Sequence, residues 1–270
     1  MKKIILIIFT VVCLTPLAGS CQSIDEIKNT VSSYLGKIDY WENNFESSDQ
    51  DSMTIVVNNQ LLQYLTTICK KNPATLKHDL NKTQSSRLQI ITSSDGNFRI
   101  YFWDDGYSGS ARSYTALAQY RDGNNKVHIK TLNNGTDKEE GVICSGSLVR
   151  ALKTIKTKDG KTVYLTIERT ILSRAYYMET ICSYIIDHGK LKSNYPLFQT
   201  KTKTLSFIEF EVDFSAENKY PTGYEDGETK ISTDNKTLSI PIIDNFSPTG
   251  KFLTYKFNGY KFVYDKNAKG

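Results

Sequence analysis

The chain has 270 residues, 39% of them apolar and 11% aromatic, enough to bury a real core and too many for a collagen-like or disordered chain. Its 34 basic and 29 acidic residues leave a formal charge of +5, too modest to argue for a nucleic-acid partner. No motif in it names an activity, so the sequence bounds compartment, architecture and a set of exclusions.

Lys2 and Lys3 precede an uncharged, mostly apolar run from Ile4 to Leu17, and Ala18-Gly19-Ser20-Cys21 follows. This order of basic, apolar and small-residue regions reads as a secretory signal over residues 1–20. The apolar run falls short of the roughly 20 residues a spanning helix needs, and no later segment is as apolar, so the mature chain is expected to meet a membrane only through a lipid anchor. Small residues before Cys21 resemble a lipoprotein signal, in which that cysteine becomes the acylated first residue. Leu17 sits one position too far upstream for the usual pattern, and an ordinary signal peptidase would also accept Ala18-Gly19-Ser20. The expected location is the outer membrane or cell surface as a lipoprotein, or the periplasm. Loss of Lys2 and Lys3 with the leader lowers the formal charge further and weakens any case for nucleic acid.

Cys13 leaves with the leader. If Cys21 is acylated, Cys69, Cys144 and Cys182 remain, which permits one disulfide and one free thiol without assigning the pair. No C-x-x-C occurs, which argues against a zinc ribbon or a thioredoxin-type redox site.

Ser23-Ile24-Asp25-Glu26 has the form of a capping box, and Ile24, Ile27, Val31 and Leu35 then recur at helical spacing until Gly36 ends the run. After a polar stretch over residues 43–52, Leu61, Leu62, Leu65 and Ile68 mark a second helix, with Lys70 and Lys71 at its negative end and Pro73 beyond. A third helical fragment is expected around Thr75 to Leu80. From Leu88 onward the period changes to two. Phe98, Ile100 and Phe102 alternate with Arg99, Tyr101 and Trp103; Val163, Leu165 and Ile167 with Tyr164, Thr166 and Glu168; and Ile208, Phe210, Val212 and Phe214 with Glu209, Glu211 and Asp213. These predict half-buried antiparallel strands.

Asp95-Gly96, Asp105-Gly106, Asp122-Gly123, Asn134-Gly135, Asp159-Gly160, Asp226-Gly227 and Asn258-Gly259 punctuate the strands with residues that supply positive φ. With Asn258-Gly259 as a two-residue turn, Phe257 faces Tyr260, Tyr255 faces Phe262 and Leu253 faces Tyr264. Pro241, inside the strand-like Leu238 to Ile243, marks an edge or a bulge.

The expected fold is α+β: a small N-terminal helical segment, residues 21–81, packed on a larger meandering antiparallel β domain, residues 82–270, as one unit. An irregular propeller-like or barrel-like arrangement is the alternative.

His78, His128 and His188 lie far apart and in no metal-binding spacing. Gly160-Lys161-Thr162 resembles the end of a phosphate loop, but Ile155 stands where that motif needs glycine. G-x-S-x-G, S-x-x-K and G-x-G-x-x-G are all missing, so no cofactor and no metal is expected. Glu209, Glu211 and Asp213 put three carboxylates on one strand face, most simply a solvated one. Arg150, Lys153, Lys156, Lys158 and Lys161 read as hairpin-tip cations that deter edge pairing. The best binding candidate is the aromatic and acidic stretch with Trp103, Asp104, Asp105 and Tyr107, because flat rings beside carboxylates suit a sugar or peptide.

The stretch Arg99-Ile100-Tyr101-Phe102-Trp103-Asp104, the turn Ile186-Asp187-His188-Gly189-Lys190-Leu191 and the ending from Gly250 to Phe262 resemble uncharacterised exported proteins and lipoproteins of Bacteroidetes. That resemblance brings no activity with it, and it implies tolerance of a looser lipoprotein signal. The functional expectation is an exported, lipid-anchored envelope protein that binds a glycan, peptide or protein without catalysis. The alternative is a hydrolase whose site is assembled from dispersed Asp, Glu and His residues.

Overall fold

The structure is a computed structural model that describes residues 22–43, 50–78, 80, 86–106, 111–132, 146–193, 195–215 and 227–267. The leader, Cys21, Tyr107, the Asn134-Gly135 turn and Cys144 lie outside the described residues.

Helix α1 spans Ile24–Glu42 and opens on the expected capping box: the Ser23 side chain accepts from the Glu26 amide while the Glu26 side chain accepts from the Ser23 amide. Gly36 does not end it. The apolar stripe of Ile27, Val31 and Leu35 continues one turn further to the buried Ile38, and burying that side chain outweighs the cost of about 1 kcal/mol for a mid-helix glycine. Helix α2, Gln50–Lys71, begins inside the stretch expected to be polar loop, since Thr54, Val57 and Asn58 belong to its buried face. The third fragment is a short 3-10 helix, Pro73–Leu76.

Fifteen strands follow among the described residues, and strand outweighs helix, as an α+β chain with its helices at the N-terminus requires. The first sheet is a meander of β1 (Leu88–Thr92), β2 (Phe98–Asp104), β3 (Tyr114–Arg121) and β4 (Val127–Thr131). The second orders β11 (Phe207–Asp213), β7 (Tyr176–Asp187), β6 (Thr162–Ile171) and β5 (Leu148–Lys156), with β8 (Lys190–Lys192) also on β7. The third contains β9 (Phe198–Gln199), β10 (Thr204–Leu205), β12 (Lys230–Ile231), β13 (Thr237–Asp244), β14 (Ser247–Phe257) and β15 (Phe262–Tyr264). All pairings are antiparallel except the short one between β15 and β9.

Alternation along the strands shows how the layers stack. Tyr101 and Trp103 of β2 pack with Leu117 against Ile27, Leu35, Ile38 and Leu61 of the helices. Phe98, Ile100 and Phe102, on the opposite face, pack against Leu152, Tyr164, Cys182 and Tyr184 of the second sheet. Val163, Leu165 and Ile167 of β6 then face Leu238, Ile240, Tyr255 and Phe262 of the third. The order is therefore helices, first sheet, second sheet, third sheet.

This stacking corrects the expectation of half-buried strands, because β2 and β6 are buried on both faces. The faces that read as outward carry Tyr, Trp, Thr and Glu, whose polar tips find internal partners: the Tyr101 hydroxyl donates to the Thr75 carbonyl at 2.9 Å, and the Tyr184 hydroxyl to Glu168 at 3.2 Å. An amphipathic side chain satisfied in this way can be covered as readily as an aliphatic one.

The C-terminal register is also corrected. Phe257 pairs with Phe262 and Tyr255 with Tyr264, so the loop holds four residues rather than two. Asn258 Oδ1 accepts from the amides of Tyr260 and Lys261 at 2.8 and 2.9 Å, and this side-chain turn lengthens the loop. The shift is two residues, so the aromatic face is preserved. At Pro241 the pairing of β13 with β14 slips, as the missing amide predicts.

Candidate functional site

The structure does not bring the expected aromatic and acidic residues together as a binding surface. Trp103 is 0% exposed in the core beneath the helices, and its indole Nε1 donates to Asn58 Oδ1 at 2.9 Å. Its ring is therefore core, and offers no face for a ligand to stack on. Asp104, at the end of β2, is held by two arginines: Arg112 Nη1 lies 2.9 Å from its carboxylate, and Arg87 Nη1 lies 3.6 Å away and donates to its backbone carbonyl. Arg87 also pairs with Asp39 at 2.7 Å and with Glu42, locking the end of α1 onto this corner. Asp105 accepts from the Ser113 hydroxyl at 2.8 Å, and its backbone carbonyl accepts from Asn58. Tyr107 lies outside the described residues.

The other charged groups divide between structural pairs and a cleft. Arg150, expected at a solvated tip, instead joins a charge-balanced cluster with Arg169, Glu179 and Glu228. Glu179 is 0% exposed, accepts from Arg169 at 2.9 Å and from the Thr229 amide at 2.8 Å, and also binds Arg150; the Arg169 guanidinium lies 3.9 Å from the Tyr177 ring centroid. These contacts fasten residues 227–229 to the second sheet. On β11, Glu209 accepts from Thr180, Glu211 from Tyr176, and Asp213 from the Ser215 amide, so the three carboxylates are engaged separately. Among the described residues no group of three or more His, Cys, Asp and Glu is placed to hold a metal ion. Cys69 and Cys182 are in no disulfide and are buried in different cores, and burial pushes the Cys69 thiol up to about 11, which leaves it unreactive.

The cleft, of about 490 Å³, opens where four chain reversals meet. Two belong to the first sheet: the β1–β2 turn with Asp95 and Asn97, and the β3–β4 turn with Arg121, Asp122 and Asn125. Two belong to the second: the β5–β6 turn from Lys156 to Thr162, and the end of β7 with Asp187. Tyr164 forms part of the wall. The turns form where aspartate and glycine allow: Gly96 at φ 68° and Gly160 at φ 83° take conformations that favour glycine.

Each carboxylate in the wall is engaged. Asp95 accepts from the Ser93 hydroxyl at 2.6 Å, the Asn97 amide at 3.1 Å and the Tyr164 hydroxyl at 3.0 Å. Partial burial pushes its pKa up, but these hydrogen bonds prevail and leave it lowered; burial raises the Tyr164 phenol, which stays protonated and donating. Asp122 accepts from the Asn124 and Lys126 amides at 2.9 Å and bonds His128 Nε2 at 2.8 Å; the histidine bond is the chief reason its pKa is lowered. Asp187 is lowered mainly by Lys192, 2.6 Å away, and also contacts the 92% exposed His188. His128 stacks on Tyr120 at 5.4 Å between centroids and packs beside Gly189, where an added Cβ would lie 3.7 Å from the ring.

Nothing in the sequence says that these four turns converge. Their dipeptides were visible, and so was the basic run that supplies Lys156 and Lys161, but Asp95, Arg121 and Asp122 stand up to tens of residues from those lysines. No family model matches the chain, and neither a curated protein nor a solved structure matches it.

Proposed function

We propose that the protein is an exported, lipid-anchored envelope protein that binds a glycan, peptide or protein segment without catalysis, and that the ligand enters the cleft between the turns of the first and second sheets. The observation that carries this reading is the cleft itself: its volume lies within the roughly 300–1,000 Å³ range of small-molecule sites, and its polar groups are fixed in place by tight turns on a rigid stack. A mono- or disaccharide, or a few residues of peptide, finds donors and acceptors there at little ordering cost. The leader and Cys21 support export and anchoring from sequence alone.

A hydrolase is the second reading, and the Asp122–His128 pair favours it. A general base must also reach the ligand or the water it deprotonates. His128 spends Nε2 on Asp122 and is not among the residues that line the cleft, which suits a pair that braces the β3–β4 turn better than a catalytic one.

Saturation-transfer NMR of saccharide and peptide pools on the purified protein tests the proposal. Gly123→Trp is the control variant: Gly123 lines the cleft and an added Cβ meets nothing within 4 Å, so a side chain can start there without a clash. Ligand signals that vanish in this variant at unchanged thermal stability support the cleft. Signals equal in both proteins overturn it, and conversion of the ligand during the measurement supports the hydrolase.

A further inference from the structure

The geometry points to a carboxylate-bearing saccharide, of the uronic-acid class, as the ligand of this cleft, with Arg121 and Lys156 receiving the carboxylate. This rests on the cleft being the binding site and goes on to specify the ligand's charge and kind.

Hydrogen-bond accounting carries it. Asp95, Asp122 and Asp187 all accept from protein donors, as described above. The cations are used far less. Arg121 lines the cleft and donates from Nη1 to the Asn125 carbonyl at 3.2 Å, with no carboxylate partner among the described residues. A guanidinium has five N–H donors, so most of its capacity is not spent on that carbonyl. Lys156 bonds the Thr162 hydroxyl and likewise has no carboxylate partner among the described residues. Lys161, the third cation of the wall, is held by Asp159 at 3.2 Å. An anion is thus the group that meets the remaining donors, and charge-assisted bonds to a planar carboxylate are what a free guanidinium forms best.

The same wall limits how much negative charge can enter. Three carboxylates whose protein partners keep them ionised repel a dianionic phosphate more than a monoanion. Carboxylate oxygens each carry several lone-pair sites, so Asp95, Asp122 and Asp187 can still accept from neutral hydroxyls. A single carboxylate set among hydroxyls satisfies both requirements, and a hexuronic acid has that arrangement.

The experiment is isothermal titration with galacturonic acid, its methyl ester and inorganic phosphate, on the wild-type protein, Arg121→Gln, Lys156→Gln and Gly123→Trp. The acid should bind wild type, weaken about tenfold or more in Arg121→Gln and less in Lys156→Gln, and lose affinity with added salt. The methyl ester should bind about tenfold more weakly than the acid. Equal binding of acid and ester, or no effect of Arg121→Gln, overturns the charge assignment; if Gly123→Trp then abolishes both, the cleft still stands as a site. Acid binding untouched by Gly123→Trp overturns assignment and cleft together. Phosphate that binds while the acid does not makes this a phosphate site, and no binding of the acid overturns the saccharide assignment while leaving the cleft open to peptides.

Discussion

The first sheet ends in two opposite ways. At one end, where β2 runs out at Trp103 and Asp104, the indole bonds Asn58, Asp104 is paired with Arg87 and Arg112, and α1 and α2 cover the ring. At the other end, the β1–β2 and β3–β4 turns meet the second sheet around a cleft in which Arg121 and Lys156 keep donors in reserve. The two ends are similar in residue types, aromatic, acidic and basic, and differ in how far those groups have been used on one another. Charged and aromatic residues that spend their hydrogen-bonding capacity on one another make a structural corner, and donors left over are what the proposed site would offer a ligand.

The largest effect that could break this comparison is at the covered end. Trp103→Ala should destabilise by about 3–5 kcal/mol in urea denaturation, the cost of removing a large core side chain. A loss below about 1 kcal/mol would mean that the helices do not seal this end and that the ring is available to a ligand.

Gly36→Ala tests the helical cover more gently. Gly36 lies in the exposed middle of α1 and an added Cβ meets nothing within 4 Å, so alanine should stabilise by about 0.5–1 kcal/mol. An unchanged melting temperature would show that α1 does not contribute its helix stability to the cooperative unit.

The smallest effect concerns the open end and appears as a pH dependence. The folded pKa of Asp95 lies below its ordinary value, so its contribution is fully present above the unfolded carboxylate pKa of about 3.9 and is lost as pH falls through the lower folded value. Asp95→Asn should therefore be less stable than wild type at neutral pH, and the gap should close in acid. A constant gap across that range would mean that the Ser93, Asn97 and Tyr164 hydrogen bonds do not depend on the charge.

Much of this architecture was legible in local pattern. The S-x-x-E capping box, the change from helical to alternating period near Leu88, the Asp95-Gly96, Asp105-Gly106 and Asp159-Gly160 turns and the bulge at Pro241 all depend on neighbours within a few residues, and each forms where the pattern places it. The continuation of α1 past Gly36 was not legible, because it depends on what Ile38 packs against. The C-terminal loop was misread by two residues for a related reason: the Asn258 side chain takes the amides of Tyr260 and Lys261, and the turn docks on the β5–β6 hairpin through the Lys158 amide and the Gly259 carbonyl, 2.7 Å apart.

The candidate site lies wholly on the nonlocal side of this division. Sequence alone determined that these strands have two chemically distinct faces and where the chain reverses, because periodicity and φ preference act between near neighbours. Only the tertiary structure decided that both faces of β2 and β6 are covered, that Trp103 lies under the helices, and that four reversals close around Arg121 and Lys156. Those outcomes depend on which layer packs on which, and burial and ion pairing are settled between residues distant in the chain.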